Sequence, residues 1–547
     1  MRRTGVTMMV VLLVLGAAMP RVVVAETLEE RLERMEGEIR SLREELRRRD
    51  AADRRRETKP GRARAAAPAP VERTPPAVAA TAPPEAPPAA VATASPSAPG
   101  AGGPLRGLMD RVAIGGYGSL RYEGSSLEEQ KHTFTFRRFV LTVDANIAPR
   151  LKGYMELEFE RFRELELEKT THQNDEGGLE VEQTVEGTNE SEIAFEQAYV
   201  QFDVSDWLKM RAGEILVPLG RFNLNHDDNR WDLPRRSLVD RGVSVLPVPA
   251  AWGELGVGFL GDLPVGEQGQ LSYQGYVVNG LTLDTEFEQI IETRQGDTTK
   301  SIIEAKVSPS GGTFGSDVKD AKAVTGRLAW SPVLGHEIGA SGYFGQYTPD
   351  FLGEEDLWSV AGDGRTGWGP FELEGQYVYT RFEGVKNVAR RFAQRALQHE
   401  SEGEVGAVET EIEFELANLA NAKHGYWLEG RYRFWPAFLN DTFLGERFDN
   451  PQLVAVLRGE QVWLDGLVNE VGFSGGQLTE FVQDHRYLAR FTTGLAYRPV
   501  PLVAFQLAYE FTMTDSGQSL AGVTNFLPAK EHEDHAHTIL VGATFGF

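Results

Sequence analysis

The chain has 547 residues, with 80 acidic against 56 basic side chains, a net charge of -24 and no cysteine. Such a length exceeds one ordinary globular domain. The missing thiols exclude disulfides and thiolate metal sites, and the acid excess argues against a nucleic-acid partner.

The N-terminus reads as a secretory signal over residues 1–25. Arg2 and Arg3 precede an apolar run from Met8 to Ala18, and Val23 and Ala25 occupy the −3 and −1 positions of a cleavage site. An uncleaved anchor is the alternative. The run is shorter than the ~20 residues a spanning helix needs, and no later stretch reaches that length. Any membrane crossing by the body therefore has to be made by strands.

Leu28, Leu32, Met35, Ile39, Leu42 and Leu46 then alternate in steps of four and three, with Glu and Arg on the flanks. This heptad seam predicts an α-helical coiled coil over residues 26–50 on the periplasmic side; a lone charged amphipathic helix is the competing reading. Residues 51–104 turn to Ala and Pro, too rich in proline to form a core and stiffened toward an extended spacer.

From Val112 onward, segments of alternating polarity are separated by alternately short and long breaks. The short ones include 148–150, 204–206, 261–264, 332–335, 362–367 and 499–501. The long ones run near 163–192, 217–251, 281–322, 384–424, 465–485 and 515–536. Counting strands between them predicts an all-β body over 105–547, a transmembrane antiparallel β-barrel of about sixteen strands. The last strand carries Ile539, Val541, Ala543, Phe545 and Phe547 on one parity, with Leu540 as a misfit. Such a strand closes against the first one in a barrel, and its terminal Phe resembles the assembly signal of bacterial outer-membrane barrels.

Alternation alone also fits a soluble sandwich with charges outside. In a membrane barrel the charged parity faces a wet lumen instead, because a charge facing hydrocarbon at midplane costs ~2–4 kcal/mol. On that reading the lumen receives Arg138, Glu156, Glu158, Arg211, Arg327, Arg431, Arg433, Arg458 and Arg490. Acids gather on the second and third strands and arginines on the twelfth to fourteenth. This segregation implies either a transverse field across the pore or mutual salt bridges along its wall.

The long break at 217–251 carries the most specific pattern. The stretches Arg211-Ala-Gly-Glu-Ile-Leu-Val-Pro-Leu-Gly220, Asp240-Arg-Gly242 and Trp252-Gly-Glu-Leu-Gly-Val-Gly-Phe-Leu-Gly261 resemble the phosphate-selective porin O and P family. The resemblance covers roughly residues 110–547. It implies a trimeric sixteen-stranded outer-membrane channel whose third loop folds into the lumen. It makes Arg221, Asp227, Asp228, Arg230, Asp232, Arg235, Arg236 and Arg241 the constriction candidates. Bidentate arginine suits phosphate. Where that family presents lysine clusters, this chain has few lysines, and acids interleave its loop arginines.

The cluster Glu531-His-Glu-Asp-His-Ala-His537 reads as a solvated loop, with metal ligation as the alternative. No nucleophile–base pair, P-loop or zincin motif stands out, so neither catalysis nor a cofactor is expected. Two functions follow. One is an outer-membrane porin, a homotrimer seated in lipid that passes small hydrophilic solutes, anions such as phosphate among them. The other is a structural anchor that ties the membrane to the periplasm or cell wall through its coil.

Overall fold

The computed structural model describes residues 111–128, 130–160, 165–173, 179–187, 192–243, 245–295, 298–311, 317–391, 408–415, 419–474, 477–515, 518–520 and 533–547. The signal peptide, coiled coil and Ala/Pro spacer read from residues 1–104 lie outside them.

The strands are, in chain order, β1 (Val112–Ser125), β2 (Thr133–Ala148), β3 (Leu151–Glu160), β4 (Leu165–Gln173), β5 (Leu179–Gly187), β6 (Glu192–Asp203) and β7 (Lys209–Leu216). There follow β8 (Gly253–Val265), β9 (Gly269–Val278), β10 (Thr282–Gln295), β11 (Thr298–Ser310), β12 (Ala323–Ser331), β13 (His336–Gln346) and β14 (Asp356–Trp368). The last are β15 (Phe371–Phe382), β16 (Val408–Glu415), β17 (Ala420–Phe434), β18 (Gln452–Ser474), β19 (Gln477–Val500), β20 (Val503–Thr514) and β21 (His535–Gly546). Sixteen of them form a closed barrel in the order β1-β2-β3-β6-β7-β8-β9-β12-β13-β14-β15-β17-β18-β19-β20-β21. β4 and β5 pair with each other, and β10, β11 and β16 make a small separate sheet; both arise from long loops on one end of the barrel. Antiparallel pairing of β21 with β1, from Tyr117↔Gly546 to Ser125↔Thr538, shuts the cylinder, so it has no open edge.

The faces are the reverse of a soluble protein's. On β20, Phe505 and Leu507 are 53% and 54% exposed, whereas Gln506 and Glu510 are 3% and 1% exposed. The same division holds on β17 to β19. Leu428, Leu457 and Phe491 point out, and Glu429, Arg458 and Arg490 are buried within. This separates the barrel from the sandwich that alternation alone allowed: the outward belt is apolar and suited to lipid.

Several boundaries differ from the sequence reading; β17 starts at Ala420 and β21 at His535, inside the breaks read at 384–424 and 515–536. Residues 261–264 lie inside β8 and 362–367 inside β14. The reversals fall at Gly266 (φ 69°) and Gly369 (φ 58°), where the chain needs the left-handed backbone that glycine adopts without strain. Residues 465–485 are not a loop throughout. β18 runs on to Ser474 and β19 starts at Gln477, so one long hairpin extends the wall.

Two of the register shifts in the wall bring charged residues to the lumen. Between β1 and β2 the register steps from Ser119↔Arg138 to Leu120↔Phe136, leaving Arg137 without a partner. Between β3 and β6 it steps from Glu156↔Gln197 to Leu157↔Phe195, leaving Glu196 without one. Outward exposure changes parity at the second bulge: Ile193 and Phe195 before it, Val200 and Phe202 after it. A bulge re-aims side chains; here each adds one charged residue to the lumen.

Candidate functional site: the lumenal loop

The segment joining β7 to β8, residues 217–252, turns into the barrel. Its base is stitched by Asn223, whose Nδ2 donates to the carbonyls of Val217 (2.8 Å) and Trp252 (2.9 Å). The Asn223 Oδ1 accepts from the backbone N–H of Trp252 at 2.8 Å. Gly220 (φ 73°) makes the entry turn, and a Cβ there would sit 2.4 Å from Gln376 Oε1. That contact is needed: Gln376 Oε1 accepts from the N–H groups of Arg221 (2.7 Å) and Phe222 (3.0 Å).

The loop carries its own apolar core. Val217, Leu219, Phe222, Leu238, Val239 and Leu246 are buried together. Phe222 and Trp231 pack at 4.7 Å between ring centroids, and Trp231 meets the lumenal Trp427 of β17 edge-on at 5.7 Å. Leu233 sits in a second patch with Val454, Val456, Ala496, Ala508 and Leu540, all lumenal wall residues. Leu540, which breaks the alternation of the last strand, is therefore part of the surface on which the loop rests.

Ion pairs fix the rest of the loop. Arg221 donates to Glu374 (2.7 Å) on β15 and Glu337 (2.8 Å) on β13. Asp228 accepts from Ser119 Oγ (2.7 Å) on β1 and lies 3.2 Å from both Arg138 Nε and Arg236 Nε. Asp232 is held by Arg498 on β19 at 2.6 Å. Arg235 bridges Glu123 (2.9 Å) on β1 and Glu510 (2.8 Å) on β20, and Arg241 reaches Glu160 on β3 at 2.7 Å. Asp227 pairs within the loop with the half-exposed Arg230 at 2.8 Å. All eight loop candidates thus share one plug and are set against wall or loop groups, with Arg230 the half-exposed one.

The wall arginines pair mainly with their neighbours rather than across the lumen. Arg431 binds Glu372 (2.5 Å), Glu374 (2.7 Å) and Glu429. Arg433 binds Glu372 at 2.8 Å. Arg458 lies between Glu429 (3.4 Å) and Glu460 (3.0 Å), and Arg490 between Glu460 (3.7 Å) and Glu510 (3.8 Å). Arg327 pairs with Asp363 and Glu337, and Arg138 with Glu158 at 2.8 Å. Of the two readings of the segregated charges, the mutual salt bridges describe these groups, because acids and arginines alternate on adjacent strands at one height. Arg211 stands apart, its guanidinium stacked 4.0 Å over the Tyr199 ring. Glu156 accepts from Gln197 (2.6 Å) and Tyr154 (3.2 Å) and has no arginine of its own among the described ion pairs.

One cleft gathers five arginines, each also paired with an acid: Arg121 and Arg235 with Glu123, Arg137 and Arg241 with Glu160, and Arg236 with Asp228. Arg121, Arg137, Arg235, Arg236 and Arg241 line it, with Asp228 and Pro234. Arg137 enters through the bulge, 3.2 Å from Glu160. Strict alternation from Arg138 would set Arg137 on the lipid side; the register shift at Ser119/Leu120 brings it in.

No family model matches the chain. An uncharacterized protein of Aquifex aeolicus (strain VF5) is 27% identical over 230 residues, 42% of this chain and 43% of that protein, so the chain spans under half of that relative's length. Among solved structures, Salmonella typhi OmpF in complex with daunomycin is 11% identical with a TM-score of 0.43, over 80% of this chain and 97% of that one. The anion-selective porin from Comamonas acidovorans is 10% identical with a TM-score of 0.43, over 80% and 99%. The outer-membrane channel DcaP of Acinetobacter baumannii is 10% identical with a TM-score of 0.39, over 80% and 97%.

Proposed function

We propose that the chain is an outer-membrane porin, a passive channel that admits small hydrophilic solutes and favours anions, phosphate included. The observation that carries this is the position of residues 217–252. They lie within a closed barrel whose outer belt is apolar and whose inner wall is ionic. A lumen narrowed by a loop and lined with fixed charges selects by width and by charge.

The preference for anions rests on the cleft of five arginines. Bidentate guanidinium groups match the oxygens of phosphate or carboxylate, and an entering anion would share the five with Glu123, Glu160, Glu510 and Asp228. Trimeric assembly, with the heptads of residues 26–50 in the periplasm, belongs to the same proposal and rests on the sequence.

The test is reversal potential across a planar bilayer under a KCl gradient, repeated with phosphate added. Anion selectivity with a phosphate-dependent fall in chloride current is the expected result. Insertion without conductance would overturn the channel. Cation selectivity without a phosphate effect would overturn the anion preference and leave a general diffusion pore.

A further inference from the structure

Where the bulge in β6 turns Glu196 inward, three groups from separate elements converge: Glu156 from β3, Glu196 from β6 and His226 from the loop. Their ligand atoms all lie within 4.8 Å of one another, and all three residues are buried. His226 Nδ1 is 2.9 Å from the carbonyl of Asn223. A proton on that nitrogen makes the hydrogen bond and leaves Nε2 as the free donor atom, the arrangement that orients imidazole ligands in metal sites. Nε2 faces Glu196 Oε2 at 3.1 Å. Two ligands ~2.0–2.1 Å from a tetrahedral ion stand ~3.3 Å apart, so little movement is needed to admit one.

The surroundings fit the same role. Gln197 Nε2 and the Tyr154 hydroxyl both donate to Glu156 Oε2, at 2.6 Å and 3.2 Å, fixing that carboxylate while Oε1 stays available. Asp227 Oδ1, 3.8 Å from His226 Nε2, is a further oxygen at the rim. The Tyr117 hydroxyl is buried without a hydrogen-bond partner, within electrostatic reach of Arg138, Asp227 and Glu196; a water on a bound ion would satisfy it. Arg138 opposes a cation here, 3.9 Å from Glu196 Oε1, but the same guanidinium also serves Glu158, Glu160 and Asp228. Asp228 and Glu160 are served in turn by Arg236, Arg137 and Arg241, and Glu156 has no arginine among the described ion pairs.

We propose that Glu156, Glu196 and His226 form a site for a divalent transition-metal ion, with Zn2+ as the probe, that clamps the lumenal loop to the β3–β6 wall. Imidazole with carboxylates suits such ions. The site stands on these contacts alone and does not depend on the transport reading.

The full chain, purified in detergent and stripped with EDTA, is titrated with Zn2+ by calorimetry and then assayed for retained metal. The parent carries surface histidines, so the background variant is His535→Ala with His537→Ala. That background should retain one Zn2+ per chain, and adding His226→Gln or Glu156→Gln should weaken the site at least tenfold. Two variants are used so that one folded barrel, verified by its heat-modifiable migration, remains if the other does not assemble. Co2+ in the background protein should give the visible bands of a low-coordinate nitrogen–oxygen site, lost in the variants. Absence of retained Zn2+ in the background, or affinity unchanged by both variants, would overturn the proposal.

Discussion

Arg235 shows what a single lumenal residue is asked to do. It is 3% exposed and its two guanidinium nitrogens serve Glu123 and Glu510 from strands on either side of the barrel seam. Replacing it by alanine leaves both carboxylates desolvated and unpaired, and losing one partner of a buried pair costs about 3–5 kcal/mol. Arg235→Ala is therefore expected to lower the temperature of heat-modified migration on gels and to increase current noise. Arg235→Lys should fall between, because a point charge cannot bridge two acids as the planar fork does. If Arg235→Ala matches the parent in both measurements, the pairs contribute nothing to holding the loop. The partners of Arg235 could not be read from the sequence: Glu123 is 112 positions away and Glu510 is 275 away. What was legible was its type and its segment.

At the scale of elements, the loop and its wall were written into the chain as departures from alternation. Leu540, Val454 and Val456 are apolar at lumenal parity, which makes no sense in a wet pore and good sense beneath Leu233. Gly494 belongs to the same device: a Cβ there would lie 2.5 Å from Leu233 Cδ2. Gly494→Val should lift Leu233 from its patch, loosen the loop and raise single-channel conductance, while Leu233→Ala in the same chain relieves the clash. Equal conductance in parent and Gly494→Val would mean that the loop does not set the constriction. The bulges left a comparable trace. Arg137-Arg138 and Glu196-Gln197 are adjacent polar pairs where a lipid-facing strand should alternate, and the partner-less residue is the first of each pair. A strict period of two passes over such doublets, because it assigns the odd residue to lipid instead of allowing the strand an extra residue. The turn positions were misplaced for a related reason. Glycine and proline within β8 and β14 look like breaks, but it is Gly266 and Gly369, just past those strands, that have the positive φ a tight reversal uses.

For the whole molecule, the decisive property is the environment of the outer belt. An apolar face in a lipid solvent and the same face covered by a protein partner differ in one respect: lipid has a depth coordinate. A lysine facing hydrocarbon costs ~2–4 kcal/mol at midplane and ~0–1 kcal/mol near the interfaces. β20 offers a ruler for this, since Phe505, Leu507, Tyr509 and Met513 point outward along one strand. Lysine at Leu507 or Tyr509, near the middle of the strand, should destabilise folding into phospholipid vesicles by the larger amount. Lysine at Val503 or Met513, at its ends, should be nearly neutral. A profile that peaks at the centre places the barrel across a bilayer with β20 spanning it. A profile that is flat, or that peaks at one end, would mean that the belt is covered by protein, and the channel reading would lose its premise along with the membrane. The ladder closes between β21 and β1, so the cylinder presents no open strand edge to such a crossing. The experiment therefore asks only what surrounds the cylinder, because its closure is already given by the pairing of its first and last strands.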